Sequence, residues 1–285
     1  MKTGHSLGVV SLAASPDGST VASSALDSQI RVWDVATHET KVVIACPPAE
    51  NWHVAFVPDS QGTSNTLAVA GGASRSVKLY DVSADGAGAE LAALALPSDT
   101  HAIAGAMSAS GMNDASDASD TTTSAKFVQA VAVSRDGARV ACGAADGTVA
   151  VFDAASRAFL HRLEGHSAPV RCVAFSPDGK TLYTACDDGH CHAYDVEHKS
   201  LLDALPGHKG WVLGVAAAGD GNAVATCGAD AAVKLWDVRA ARENACAQTA
   251  SAQNEAVWSV AFSPSRDVLA AASDDASVAT FQYTP

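Results

Sequence analysis

The chain has 285 residues, a formal net charge of −13 and few aromatic residues. A phosphate backbone is gripped by clustered Lys and Arg that displace its counterions, so this balance argues against direct nucleic-acid binding and for protein partners. No run of 18 apolar residues occurs, which leaves no helical membrane span.

The chain opens with "MKTGHSLGVVSLAAS", whose apolar run is too weak for a signal-peptide core and reads as a strand. A repeat then dominates the chain. An alternating apolar stretch closed by an aromatic residue recurs as "IRVWDV", "VKLYDV", "VAVFDA", "CHAYDV", "VKLWDV" and a worn "VATFQY". The aromatics are Trp33, Tyr80, Phe152, Tyr194, Trp236 and Phe281, at intervals of 47, 72, 42, 42 and 45 residues. Upstream lie "GH" dipeptides at His5, His166 and His208, and "SPDG"-like turns at Ser15, Ser176 and Ser263. Short alternating strands between Pro, Asp and Gly turns half-bury each strand, and one such unit cannot cover both of its faces. The copies must therefore stack radially, which predicts an all-β fold, a β-propeller over residues 1–285 as one domain with six recognisable blades.

The 72-residue interval holds 30 more residues than the 42-residue ones. Its centre, "PSDTHAIAGAMSASGMNDASDASDTTTSA", is poor in large apolar groups and cannot repay its ordering entropy, so a disordered loop is expected at 97–126. Ser116 and Ser119, each followed by Asp, are candidate phosphoacceptors within what reads as a passive surface loop.

Farther on, "CDDGHCHAYD" (186–195) carries two Cys and two His, the ligand types of a zinc site. In the repeat frame Cys186 ends the second strand, Asp188 and Gly189 form a turn, and His190–Asp195 is the third strand. His190 and His192 then share one face and Cys191 takes the other. Tetrahedral zinc needs four converging ligands, which a hairpin with divided faces does not supply, so no metal and no cofactor is expected. The seven cysteines, at 46, 142, 172, 186, 191, 227 and 246, show no paired CxxC spacing and read as reduced thiols filling the core.

Three copies share a further set at fixed spacing: His5, Ser23, Asp27 and Trp33; His166, Thr184, Asp188 and Tyr194; His208, Thr226, Asp230 and Trp236. A His, hydroxyl and Asp set also describes a catalytic triad. Its recurrence, locked each time to a closing aromatic, instead resembles the WD-repeat hydrogen-bond tetrad, which keeps a buried carboxylate satisfied. No nucleophile and base escape this explanation, so no enzymatic activity is expected.

The tetrads account for Trp33 and Trp236 and leave Trp52, Trp211 and Trp258. Aligned as "ENWHVAF", "GWVLGVA" and "AVWSVAF", the segments put Val54, Val212, Val215, Val257 and Val260 inward. The resemblance to WD propellers then implies that Trp52, Trp211, Leu213 and Trp258 rim the loop-bearing face, with Val10, Leu26, Phe127 and Arg171 as neighbours. Exposed aromatics beside an Arg are usual anchors of a protein interface. Asp187 and Asp274 are expected to add an acidic rim suited to a basic or amide-bearing peptide.

The tracts "SSALDSQIRVWDV", "LEGHSAPVRCVAFSPDGKTLYTACDDGHCHAYDV", "GHKGWVLGVA" and "VWSVAFSP" resemble the WD-repeat subunit of the Ski (superkiller) complex, which is shared with the RNA polymerase II-associated Paf complex. That resemblance implies a seven-bladed propeller whose first blade and closing outer strand have no counterpart in this sequence. It also implies a non-enzymatic scaffold for a helicase and a tetratricopeptide protein in exosome-linked 3'-5' mRNA decay, and for Paf subunits in transcription elongation and histone modification. Cytoplasm and nucleus are the expected locations. A competing expectation comes from "LWDVRA", where Arg239 completes a WDxR pattern seen in substrate receptors of cullin-RING ubiquitin ligases.

Overall fold

The computed structural model describes residues 4–59, 64–97, 127–239, 246–250, 254–264 and 268–282. The loop expected at 97–126, with Ser116 and Ser119, lies outside these from residue 98 onward. Among the described residues every regular element is a strand, and the strands form six sheets.

The first sheet runs β1 (Val9–Ala14), β2 (Thr20–Ala25), β3 (Gln29–Asp34) and β4 (Thr40–Ala45). The second runs β5 (Val54–Val57), β6 (Thr66–Ala70), β7 (Ser76–Asp81) and β8 (Glu90–Ala95). The third comprises β9 (Val128–Val133), β10 (Arg139–Ala144), β11 (Val149–Asp153) and β12 (Phe159–Leu163). In the fourth are β13 (Val170–Phe175), β14 (Thr181–Cys186), β15 (His190–Asp195) and β16 (Ser200–Pro206). The fifth holds β17 (Val212–Ala217), β18 (Ala223–Gly228), β19 (Val233–Asp237) and β20 (Cys246–Ala250), and the sixth β21 (Val257–Phe262), β22 (Val268–Ser273) and β23 (Val278–Gln282). Each strand pairs with its neighbour in sequence, giving six propeller blades of which the sixth has three described strands.

Local chemistry sets these hairpins. In the turn after β13, the Thr181 amide donates to Ser176 Oγ at 2.9 Å and the Gly179 amide to Ser176 O at 2.9 Å. Gly179 sits at φ 70°, the left-handed region that a side chain resists. Ser15 and Gly18 repeat the turn after β1, and Ser134 and Gly137 after β9.

The core lies between sheets. Val42 and Ile44 meet Phe56 and Tyr80 across the first gap, and Tyr183 and Leu205 meet Val212 and Trp236 across the fourth. A closing aromatic thus packs backward against the preceding blade. Burying each such large side chain is worth about 1.5–3 kcal/mol. The inward positions Val54, Val212, Val215, Val257 and Val260 are all buried. The end blades differ, since no other described sheet covers their outer sides: Leu12 is 66% exposed, whereas Val215 at the same position in the fifth blade is 5% exposed.

One irregularity recurs in the first strands. The β1/β2, β9/β10, β13/β14, β17/β18 and β21/β22 pairings each skip one residue, leaving Val10, Gln129, Arg171, Leu213 and Trp258 as the extra residue of a bulge. A bulge re-aims the side chain at its unpaired residue. Each lies two residues before the inward position, as Trp52 lies two before Val54.

Candidate partner-binding face

The tetrads form as expected in the first and fifth blades. Trp236 Nε1–H donates to Thr226 Oγ1 at 2.8 Å, the hydroxyl lies 2.8 Å from His208 Nε2, and His208 Nδ1 is 2.9 Å from Asp230. The first blade repeats this with Trp33 to Ser23 at 2.8 Å, Ser23 to His5 at 2.8 Å and His5 to Asp27 at 3.1 Å. Burial works against the Asp230 carboxylate, but the Lys209 amide and His208 outweigh it and hold its pKa below the ordinary value. Burial likewise depresses His208, with Asp230 offsetting only part. The hydroxyls of Ser23, Thr184 and Thr226 are buried and already engaged, so none of the three sets presents a nucleophile.

The fourth blade departs from this pattern. His166 holds Asp188 at 2.7 Å and Thr184 at 2.7 Å, but Tyr194 does not reach the hydroxyl; its own OH lies 3.0 Å from His192 Nδ1. The His192 ring stacks flat on His166, with centres 3.9 Å apart and planes 10° apart. The strand assignment read from "CDDGHCHAYD" is correct, with Cys186 closing β14 and His190 opening β15. Cys191 is buried on the other face, and Cys186 donates to Ala168 O at 3.2 Å. Reading β15 alone missed His166, which a separate loop carries over it.

At the loop-bearing ends of the first strands, a residue two positions before the inward valine meets the residue that precedes the next blade. Trp52 packs edge-on against Phe127, ring centres 5.5 Å apart at 74°. Two blades on, the Arg171 guanidinium lies 5.6 Å from the centre of the Trp211 ring. Arg171 also forks onto Asp187, Nε to Oδ1 at 2.9 Å and Nη2 to Oδ2 at 2.6 Å. Trp52 is 38% and Trp211 53% exposed, so each ring is held at one edge and offered at the other. Val10 and Leu26 are also exposed, at the same end of the first blade.

Two expected members of the face are placed otherwise. Leu213 is only 5% exposed, because the sixth blade covers its bulge; a Cβ on neighbouring Gly214 would come within 3.2 Å of Trp258 O. Asp187 is spent on Arg171 and contributes no open carboxylate, whereas Asp274 remains exposed. Trp258 holds the same bulge position as Leu213 and is 52% exposed because no further described blade covers it. Its exposure has a different cause from that of Trp211, which stands one residue before its strand.

This geometry agrees with the comparison of the sequence with known families. The model of the WD domain, G-beta repeat, matches residues 1–34, 119–153, 157–195, 199–237 and 244–280. The chain belongs to the WD-repeat family. The second blade falls outside the matched spans yet forms a four-stranded sheet like the others; Val69 stands where the first, fourth and fifth blades carry the tetrad hydroxyl. Over 169 residues the propeller is 46% identical to the WD repeat-containing protein VIP3 of Arabidopsis thaliana, covering 59% of this chain and 46% of that protein. It is 31% identical over 168 residues to the WD repeat-containing protein SL1-17 of Schistosoma mansoni, covering 59% and 44%. The matched part thus spans less than half the length of these curated relatives.

Proposed function

We propose that this WD-repeat chain is a non-enzymatic scaffold that seats short segments of partner proteins on the face bearing Trp52, Phe127, Arg171 and Trp211. The observation that carries the proposal is the paired arrangement of these side chains. Each half-exposed ring is fixed by a neighbour from the adjacent blade, so little side-chain freedom is lost when a partner covers it. A WD propeller is typically an interaction scaffold, and among the described residues no helix is long and apolar enough to cross a membrane. Direct nucleic-acid binding finds no support in a chain with a net charge of −13.

The partners proposed are those of Ski-type and Paf-type assemblies: a helicase with a tetratricopeptide scaffold in mRNA decay, and elongation-complex subunits in the nucleus. The support is the likeness of the repeat tracts to the subunit those assemblies share. The ligase-receptor alternative gains nothing comparable, because Arg239 forks onto Asp237 within its own turn at 3.0 Å on both arms.

The test is affinity capture from native extract with the wild type beside a Trp52→Ala, Trp211→Ala, Trp258→Ala variant whose fold is checked by circular dichroism. Recovery of Ski and Paf subunits by the wild type alone supports the proposal. Equal recovery by both returns the tryptophans to a packing role, and recovery of a ligase adaptor instead overturns the assembly.

A further inference from the structure

The gap between the fourth and fifth blades holds a cavity of about 500 Å³, at the end opposite Trp52 and Trp211. The turn after β13, with Asp178, borders it on one side and the turn after β17, with Asp220, on the other. Asp203 of β16 and Asp237 of β19 also line it. We propose that this cavity takes an arginine side chain from a partner protein, with Asp203 and Asp178 facing the guanidinium and the Tyr183 hydroxyl accepting one of its N–H groups. It would be a second docking point, separate from the tryptophan face.

The cavity comes from a substitution pattern confined to the fourth blade. Tyr183, Ala193 and Asp203 stand side by side on β14, β15 and β16, each paired with the next. In the other blades the matching second-strand residue is always alanine: Ala22, Ala68, Ala141, Ala225 and Ala270. The third-strand residue is Val32, Leu79, Val151 or Leu235 in the other four-stranded blades, and the outer-strand residue there is never a carboxylate. The fourth blade thus shifts its bulk to the second strand and leaves a methyl group between a phenol and an acid. Adjacent strands lie about 4.8 Å apart, so the backbones of Tyr183 and Asp203 stand about 10 Å apart with only the Ala193 side chain between them.

The polar groups around this notch lack partners. Tyr183 is 5% exposed, yet its hydroxyl makes no hydrogen bond among the described residues. Burial, with Cys191 and Asp178 adding to it, pushes its pKa up to about 12, so it remains a neutral hydroxyl. A buried hydroxyl without a partner is uncommon in native proteins and is satisfied when a ligand supplies one. Asp203 accepts from the Ala204 amide at 2.9 Å and forms no ion pair among the described residues. Asp178 takes both the Ser176 hydroxyl and the Lys180 amide on Oδ1, which hold its pKa below the ordinary value and leave Oδ2 open. Asp220 is engaged by Asn222 and Asp237 by Arg239, so these two add negative field at the rim.

The lining selects arginine among side chains. Leu205 and Leu202 offer apolar cover to an aliphatic stem. A guanidinium presents a planar fork of donors that can meet two carboxylates and a phenol oxygen together, whereas an ammonium is a compact point charge. An anionic ligand would face four carboxylates.

The test titrates a five-residue peptide of glycine and alanine with one central arginine into the intact chain carrying ring-¹³C tyrosine, beside peptides with lysine or citrulline at the centre. The chain has four tyrosines, and Tyr183→Phe identifies the Tyr183 signal in the NMR spectrum. A saturable shift of that signal with the arginine peptide, weaker with lysine and absent with uncharged citrulline, is the expected result. Asp203→Asn is expected to weaken binding at least about tenfold, the loss of a charge-assisted hydrogen bond. Asp85→Asn removes the same charge from an exposed turn before β8 and leaves binding unchanged. Ala193→Leu installs the side chain that β7 and β19 carry and fills the notch; Asp203→Asn, at a half-buried position, carries the test should that variant misfold. No saturable shift, an equal response to lysine or citrulline, or binding insensitive to Asp203→Asn would overturn the assignment. The Tyr183 signal reports this cavity alone, so the outcome is distinct from that of partner capture on the tryptophan face.

Discussion

The Arg171 guanidinium lies 5.6 Å from the centre of the Trp211 ring, across the boundary between the fourth and fifth blades. Asp187 grips the same guanidinium in two places, so the cation is held over the ring rather than merely near it. Such a contact is worth about 0.5–1 kcal/mol at a partly exposed site. A double-mutant cycle of Arg171→Ala and Trp211→Ala, read by urea denaturation, is expected to give a coupling energy of that size. Additive losses would show that the two side chains act independently.

The two kinds of tetrad differ in what depends on the hydroxyl. Removing it in Thr226→Val strands both Trp236 Nε1–H and His208 Nε2; in Thr184→Val it strands His166 alone. Each buried polar group left unpaired costs about 1–3 kcal/mol. Thr226→Val is therefore expected to lower the urea midpoint more than Thr184→Val, and equal midpoints would contradict the division of roles.

Acid should loosen the propeller in a defined window. Burial depresses His208, and it depresses His53 with only partial relief from Val131 O. Both are therefore neutral in the folded chain at pH values where the unfolded chain binds protons. Folded pKa values below the ordinary 6.5 mean that this stability is fully present above pH 6.5 and is lost as the pH falls below it. Asp230, held below its ordinary 3.8, adds a loss of the same sign only under stronger acid. Melting temperature is expected to fall between pH 7 and pH 5, with a shallower slope in His208→Gln. A flat profile in the wild type would refute the argument.

The thiols should divide sharply by reactivity. Cys142, Cys186, Cys191 and Cys227 are buried, and burial pushes the first two up to about 12 and the others higher still. Only Cys246 is exposed. Since the thiolate is the reactive form, the native chain is expected to release about one equivalent in a thiol titration, and the remainder only on unfolding. Rapid reaction of several thiols without denaturant would mean that the blades open readily.

The repeat architecture was legible in the amino-acid sequence because it rests on short-range physics. Period-2 alternation, Ser-x-Asp-Gly turns and a closing aromatic at a near-constant interval specify strands and their order before any long-range contact is known. The tetrads of the first and fifth blades were legible for the same reason: each links residues of one repeat at fixed spacing. Even the strand assignment around Cys186 and His190 needed nothing beyond the local pattern.

What neighbouring blades do to one another only the tertiary structure decided. Leu213 and Trp258 hold the same bulge position, yet one is buried and the other half exposed, because cover comes from the next blade and not from the strand itself. Asp187 looked like an open carboxylate until Arg171, 16 residues earlier, folded onto it. His166 met His192 only when the loop before β13 closed over the edge of β15, since a strand's own alternation says nothing of what a separate segment lays on its face. Exposure, pairing and ring stacking depend on which surfaces meet in space, and a linear pattern carries that only where partner and partnered lie within one repeat.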